Sequence, residues 1–312
     1  MALSIQQAIS NLVNSDEPLL NSRLADLSNL NPGELRLVEG AWLKVEPKRR
    51  QQIMHRLVEL AEDNPELNFD SIFKRRLGDE DAEVRRLAIE GLWENEEPSL
   101  LEPLIRLLHQ DSSEQVQAAA MTALGKFAML AEHEKLRSCH ASRICQTLLS
   151  VIDDTTKPVE IKRRALEAAS PLSLPEVKEA IIQAYQSHNP RLKISSVYAM
   201  GKSYDDSWLP MIVNELASAD AEMRYEAVIA CGELEEEAAV PSLVKLIDDP
   251  DAEVQLATIQ ALGKIGGSQA KRCLKKCLGS SEEEIRQAAE ESLYELESAE
   301  DPLSFRTWTI KE

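Results

Sequence analysis

The sequence predicts an all-α fold of about seven regular helical hairpins stacked into a solenoid, preceded by an atypical helical cap. Three observations carry this. Seven segments align with one another, starting at Val84, Val116, Ile161, Leu192, Met223, Val254 and Ile285, and the last four intervals are each 31 residues. Within each segment the start and the fourth, fifth and eighth following positions are largely apolar, as at Val254, Thr258, Ile259 and Leu262, which marks one broad helical face. No stretch sustains the period-two alternation of a half-buried strand.

Taken in order, Ile5–Val13, Gly33–Lys44 and Pro47–Asp63 read as helices, with Pro32 and Pro47 at turns. Residues 1–65 fall outside the 31-residue register. They are expected to cap the exposed end of the core, with Trp42 inside, because terminal repeats cannot stack on both sides. Residues 66–296 are expected to form the solenoid, continuous with the cap as one structural domain. Each unit repeats one grammar. An apolar helix such as Leu243–Ile247 leads into a turn, Asp248-Asp249-Pro250-Asp251, in which proline stops one helix and aspartate caps the next. The aligned helix follows and usually ends near a glycine, which the spacing assigns to a C-cap. The one interval of 45 residues marks an insertion, placed within Phe127–Ala141. Residues 297–312 form a tail whose Phe305, Trp308 and Ile310 either fold back on the last hairpin or act as a short partner-binding peptide.

Two columns recur across the repeats. The seventh position after each start is small (Gly91, Ala123, Ala168, Ala199, Ala230, Ala261, Ser292), which lets a neighbouring helix approach closely. The first is often basic (Arg85, Lys162, Lys193, Arg224, Arg286), with Gln117 and Gln255 in its place elsewhere. A basic column can bind phosphate, but here it is expected to pair with turn aspartates such as Asp220 or Asp251.

Composition narrows function. The net charge of −19 opposes a binder of duplex DNA, which needs cations to neutralise phosphates, and a polybasic membrane anchor. Nucleic acid and membrane are therefore not expected partners. Residues 205–312 carry 10 basic and 24 acidic side chains, so the acidity concentrates there, as solvated turns and helix starts or as a docking surface for a basic partner. No apolar run is long enough to span a bilayer, and Met1-Ala2-Leu3-Ser4-Ile5 has no signal-peptide character. Five scattered cysteines point to a reduced, cytoplasmic setting. Cys273 and Cys277 share a helix face but have no second ligand pair nearby in sequence, so core thiols are expected rather than a metal site. Nucleotide-binding, hydrolase and zinc-protease motifs are absent. No catalytic residue, metal or cofactor is assigned.

The run Asp251-Ala252-Glu253-Val254-Gln255, ending in Ala261-Leu262-Gly263, resembles the short HEAT-like repeats of phycobilisome lyase subunits. The likeness covers about residues 66–296. It implies a right-handed α–α superhelix with the second helix of each hairpin lining the concave side. It leaves function open, because one fold hosts many. HEAT-like di-iron hydroxylases carry several His-Glu pairs where this chain has the single pair His133-Glu134. HEAT-like DNA glycosylases need a basic groove.

The candidate site comes from the aligned helices. Their second and sixth positions fall opposite the buried stripe and are usually polar, as in Arg86 with Glu90 or Arg163 with Glu167. In three consecutive repeats they become apolar: Ile194 and Tyr198, Tyr225 and Ile229, then Leu256 with Gln260. Such a strip marks an interaction site, unless curvature buries it between repeats. The expectation is a non-catalytic scaffold binding a protein or peptide through Ile194, Tyr198, Tyr225, Ile229 and Leu256. The alternative is a bilin-lyase-like subunit handling a tetrapyrrole, which calls for a His or Cys over the groove. Cys231 sits instead on a buried step.

Overall fold

The computed structural model describes residues 2–300, with side chains placed for 5–298. Phe305, Trp308 and Ile310 lie outside the described residues. Among the described residues there are eighteen α-helices and no strand. The chain divides into two compact units, Met1–Ala168 and Ala169–Glu312.

In the first unit, α1 (Ala2–Val13), α2 (Asn21–Ala25), α3 (Pro32–Trp42) and α4 (Pro47–Asp63) come first. They are followed by α5 (Asp70–Arg76) with α6 (Ala82–Gly91), α7 (Leu101–Gln110) with α8 (Glu114–Glu132), and α9 (Ser138–Asp153) with α10 (Val159–Ala169). The second unit holds α11 (Pro175–Tyr185) with α12 (Pro190–Lys202) and α13 (Leu209–Glu215) with α14 (Ala221–Leu234). It continues with α15 (Val240–Leu243) and α16 (Ala252–Ile265), then α17 (Gly267–Cys277) and α18 (Glu283–Glu300).

The N-terminal helices α1, α3 and α4 form where the sequence places them, and α2, which it did not mark, lies between the first two in the chain. Asn31 accepts hydrogen bonds from the N–H groups of Gly33 (2.8 Å) and Glu34 (3.0 Å), while Glu34 accepts from the Asn31 N–H (3.0 Å), a reciprocal box that starts α3. Trp42 is buried, and its Nε1 donates to Asp79 at 2.7 Å. The Arg76 guanidinium lies 4.7 Å from the Trp42 ring centre. The expected insertion lengthens two helices: α8 runs 19 residues and α9 runs 16, joined through Glu134 in the left-handed conformation (φ 56°).

Within each unit the second helices of successive hairpins lie directly against one another, α4 on α6 on α8, and α12 on α14 on α16 on α18. The glycines explain how. Gly125, Gly201, Gly232 and Gly263 lie inside their helices, not at C-caps as the spacing had indicated. A methyl group added at Gly201 would sit 2.7 Å from Cα of Ala230, and one at Gly263 would sit 2.7 Å from Cβ of Ser292. Each glycine therefore receives the small seventh-position residue of the next helix. Glu235 (φ 54°) and Gly266 (φ 73°) supply the actual turns out of α14 and α16.

Arg85 and Arg224 of the basic column pair with a turn aspartate of the next repeat, as expected, but the aspartate that receives them is not the helix-capping one. The Asp220 carboxylate caps α14 by accepting from the Glu222 N–H, and the Asp251 carboxylate caps α16 by accepting from the N–H groups of Glu253 and Val254. Arg224 instead bonds Asp249 of the following turn at 2.8 Å through both Nε and Nη2, and also donates to the Ser218 carbonyl at 2.9 Å. Arg85 grips Asp111 in the same two-pronged way at 2.7 and 2.8 Å. Asp249 and Asp111 also accept a turn N–H from Asp251 (2.9 Å) and Ser113 (2.9 Å). An aspartate five residues before the repeat start thus ties its own turn to the preceding helix, which the cap aspartate cannot do while it is aimed into its own helix. Gln117 and Gln255 replace the arginine by donating to the carbonyls of Asp111 and Asp249, each at 2.7 Å.

Candidate functional site

The strip lies in the second unit, on α12, α14 and α16. The outer helices α15 and α17 touch far less than the inner helices do, so the free side of the inner row is the concave one. Helical geometry places the sixth position at the middle of that free side. The second position points about 20° from the ninth, where the glycine meets the next helix. A second-position side chain therefore leans into the seam between helices.

The burial pattern follows this geometry. Ile194 is only 5% exposed, filling the seam toward α14, and offers a partner almost no surface. Tyr198, Ile229 and Leu256 are half-buried. Tyr225, too large for its seam, is 38% exposed, and Gln260 is exposed. The accessible residues of the strip are thus Tyr198, Tyr225, Ile229 and Leu256, with Ile194 supporting them from beneath.

One edge of the strip is closed by a charge ladder. Glu233 accepts from Lys202 at 3.0 Å and from Lys264 at 3.1 Å, linking α12, α14 and α16. Burial alone would raise the Glu233 carboxyl, but the two lysines outweigh it and hold it below the ordinary range. The other edge is set by the position just before each start: Arg191, Glu222, Glu253 and Glu284, all exposed. The sequence reading passed over this column. Its signal is that the position falls three residues before the second and on the same face.

The cysteines and the histidine of the second unit lie off the strip. Cys231 lies on the buried side of α14, fully enclosed, and burial pushes its thiol up to about 12. His188 is the one histidine of the second unit in sequence, and it lies ahead of α12 rather than on the strip. Cys273 and Cys277 are buried on α17, and burial raises both thiols, Cys277 to about 11. Among the described residues no group of three or more His, Cys, Asp or Glu side chains is arranged to hold a metal ion. No helix among them is long and apolar enough to cross a membrane.

Stacked helical hairpins with a linear inner face define a helical-repeat solenoid protein. A family model described as HEAT repeats matches residues 70–142 and 209–294, a little over half of the chain. The chain belongs to the HEAT-repeat family. Among solved structures it is similar to the complex of CpcE and CpcF of phycocyanin lyase from Nostoc sp. PCC7120, at 18% identity and a TM-score of 0.49, over 76% of this chain and 97% of that one. It is also similar to YibA of E. coli, at 16% identity and a TM-score of 0.48, over 88% and 95%. A designed armadillo repeat protein in complex with the peptide (KR)4 matches at 20% identity and a TM-score of 0.42, over 63% and 99%. No curated protein matches in sequence.

Proposed function

We propose that this HEAT-repeat chain is a non-catalytic scaffold that binds a protein or peptide along the inner face of its second unit, with Tyr198, Tyr225, Ile229 and Leu256 as the anchors. The observation that carries the reading is the replacement of polar by apolar side chains at face positions in three consecutive repeats, with Tyr225 38% exposed. Packing accounts for Ile194 but not for Tyr225. An apolar strip that carries two tyrosines on a concave face is the kind of surface on which binding energy concentrates.

The test is affinity capture from native lysate with the wild-type chain and with Tyr225→Ala/Ile229→Ala, checking by circular dichroism that helical content is unchanged. The expected result is a stoichiometric partner whose affinity falls by roughly 30-fold or more in the variant, the loss of about 2 kcal/mol typical of an anchor residue. A partner held equally by both proteins would place the site elsewhere. Co-purification of a coloured small molecule would favour the tetrapyrrole reading instead.

A further inference from the structure

We infer that the occupant of this strip is an extended segment of a partner polypeptide that carries one basic and one apolar side chain in every three residues, its arginines or lysines supplying cations that the face lacks. The inference rests on the functional reading above and adds the chemistry of the partner.

The two units carry the same face positions with different contents. In α6, Arg86 at the second position bonds Glu83, just before the start, at 2.8 Å, and Glu90, at the sixth, at 2.8 Å. In α10, Arg163 bonds Glu160 at 2.8 Å and lies 3.5 Å from Glu167. Arg164 reinforces both contacts at 3.1 and 3.0 Å. On α6 and α10 an acid–arginine–acid triad thus pairs the leading acid from within, while α8 carries the uncharged Gln115, Ala118 and Thr122 at the same positions. In the second unit the leading acids persist as Glu222, Glu253 and Glu284, but Tyr225, Leu256 and Gln287 stand where the arginine was. These three carboxylates are exposed, and none has an ion-pair partner among the described residues. The result is a row of unneutralised carboxylates, two of which stand one helical turn from the apolar Tyr225 and Leu256.

Charge complementarity selects the occupant. An apolar or neutral segment seated on Tyr225 and Leu256 would strip water from the neighbouring carboxylates without compensation, and an acidic one would be repelled. A basic segment supplies in trans the cation that each leading carboxylate has lost. The Lys202–Glu233–Lys264 ladder on the far edge is already internally paired and asks for nothing. Arg191 occupies the leading position on α12, so the demand for cations begins at α14. Helices packed about 8–10 Å apart are matched by a polyproline-II chain, whose turn of three residues advances about 3.1 Å per residue and returns every third side chain to the same side. The fitting pattern is therefore basic, apolar, any residue, repeated.

The test uses the full chain and fluorescence anisotropy with three labelled probes: four Arg-Leu-Ser triplets, four Glu-Leu-Ser triplets and four Ser-Leu-Ser triplets. At low salt the arginine probe is expected to bind about tenfold more tightly than the serine probe, two- to threefold per carboxylate, with the advantage shrinking at high salt. Glu222→Gln/Glu253→Gln/Glu284→Gln should abolish that advantage, while Tyr225→Ala/Ile229→Ala should weaken both probes. Equal binding of the arginine and serine probes, still sensitive to Tyr225 and Ile229, would overturn the basic partner and leave the scaffold reading standing. So would an arginine probe bound equally by the triple variant. Self-association of the wild-type chain that is lost in Tyr225→Ala/Ile229→Ala would make a second copy the occupant and overturn the inference. No binding by any probe would overturn both readings.

Discussion

Replacing Gly201 by alanine tests whether the inner helices are held together as closely as the structure shows. Alanine is favoured over glycine inside a helix by about 0.8–1 kcal/mol, so propensity alone makes Gly201→Ala stabilising. The new methyl would lie 2.7 Å from Cα and 2.9 Å from Cβ of Ala230. Carbon atoms rest at about 3.5–4.0 Å, so α12 and α14 would have to separate by roughly 1 Å, and both are anchored in the core by neighbours that cannot follow. Overpacking of this kind costs about 1–3 kcal/mol. The balance is a net loss of about 1 kcal/mol, or roughly 2–4 °C in Tm. Two sister variants calibrate the argument. At Gly232 the methyl would be 3.2 Å from Cβ of Ala261, close enough to absorb by a small shift, so Gly232→Ala should be near neutral. At Gly40, on α3, nothing lies within 4 Å, so Gly40→Ala should gain most of the propensity term, about 1 kcal/mol. Urea unfolding followed by circular dichroism ranks the three. If Gly201→Ala proves as stabilising as Gly40→Ala, the inner row is not tightly packed and the account of the small-residue column is refuted.

Other expectations follow from the same contacts. Arg224→Leu leaves Asp249, whose side chain is 3% exposed, without its cation, and should cost about 3 kcal/mol; adding Asp249→Asn should recover part of that in a urea double-mutant cycle. The Lys178 ammonium, 2.5 Å from Asp205, holds that carboxyl down at about 2, below its ordinary 3.8. The pair's contribution is therefore complete above about pH 4 and lost as pH falls toward 2, so the stability gap between wild type and Lys178→Met should close over that window. Of the five thiols, Cys139 is exposed and should react promptly with a disulfide reagent at pH 8; Cys145 is half-buried and should lag; Cys231, Cys273 and Cys277 should react only on unfolding. Prompt modification of Cys231 would mean that α14 opens more readily than its packing allows.

Much of this protein was legible in the order of its residues. The 31-residue spacing, the small seventh position and the apolar stripe are local and periodic, so they fix helix type, hairpin length and the face turned to the core, because a helix's side-chain directions follow from 3.6 residues per turn. Proline and aspartate at the turns settled where helices start, as Pro32, Pro47 and Asp251 do. Relations between repeats were the part that only the folded structure decided. Gly201 and Gly232 look like C-caps in sequence, and only the approach of Ala230 and Ala261 reveals them as contact points. Asp249 rather than Asp251 receives Arg224, because the direction of each carboxylate depends on which backbone N–H groups it already serves. Ile194 and Tyr225 occupy equivalent positions, yet one fills a seam and the other stands out of it. The unneutralised column of Glu222, Glu253 and Glu284 emerges only when each helix is compared with its counterpart in the other unit. Periodicity specifies a helix's own faces; the distance and tilt of the next helix, set by packing, determine which of those faces remains open to a partner.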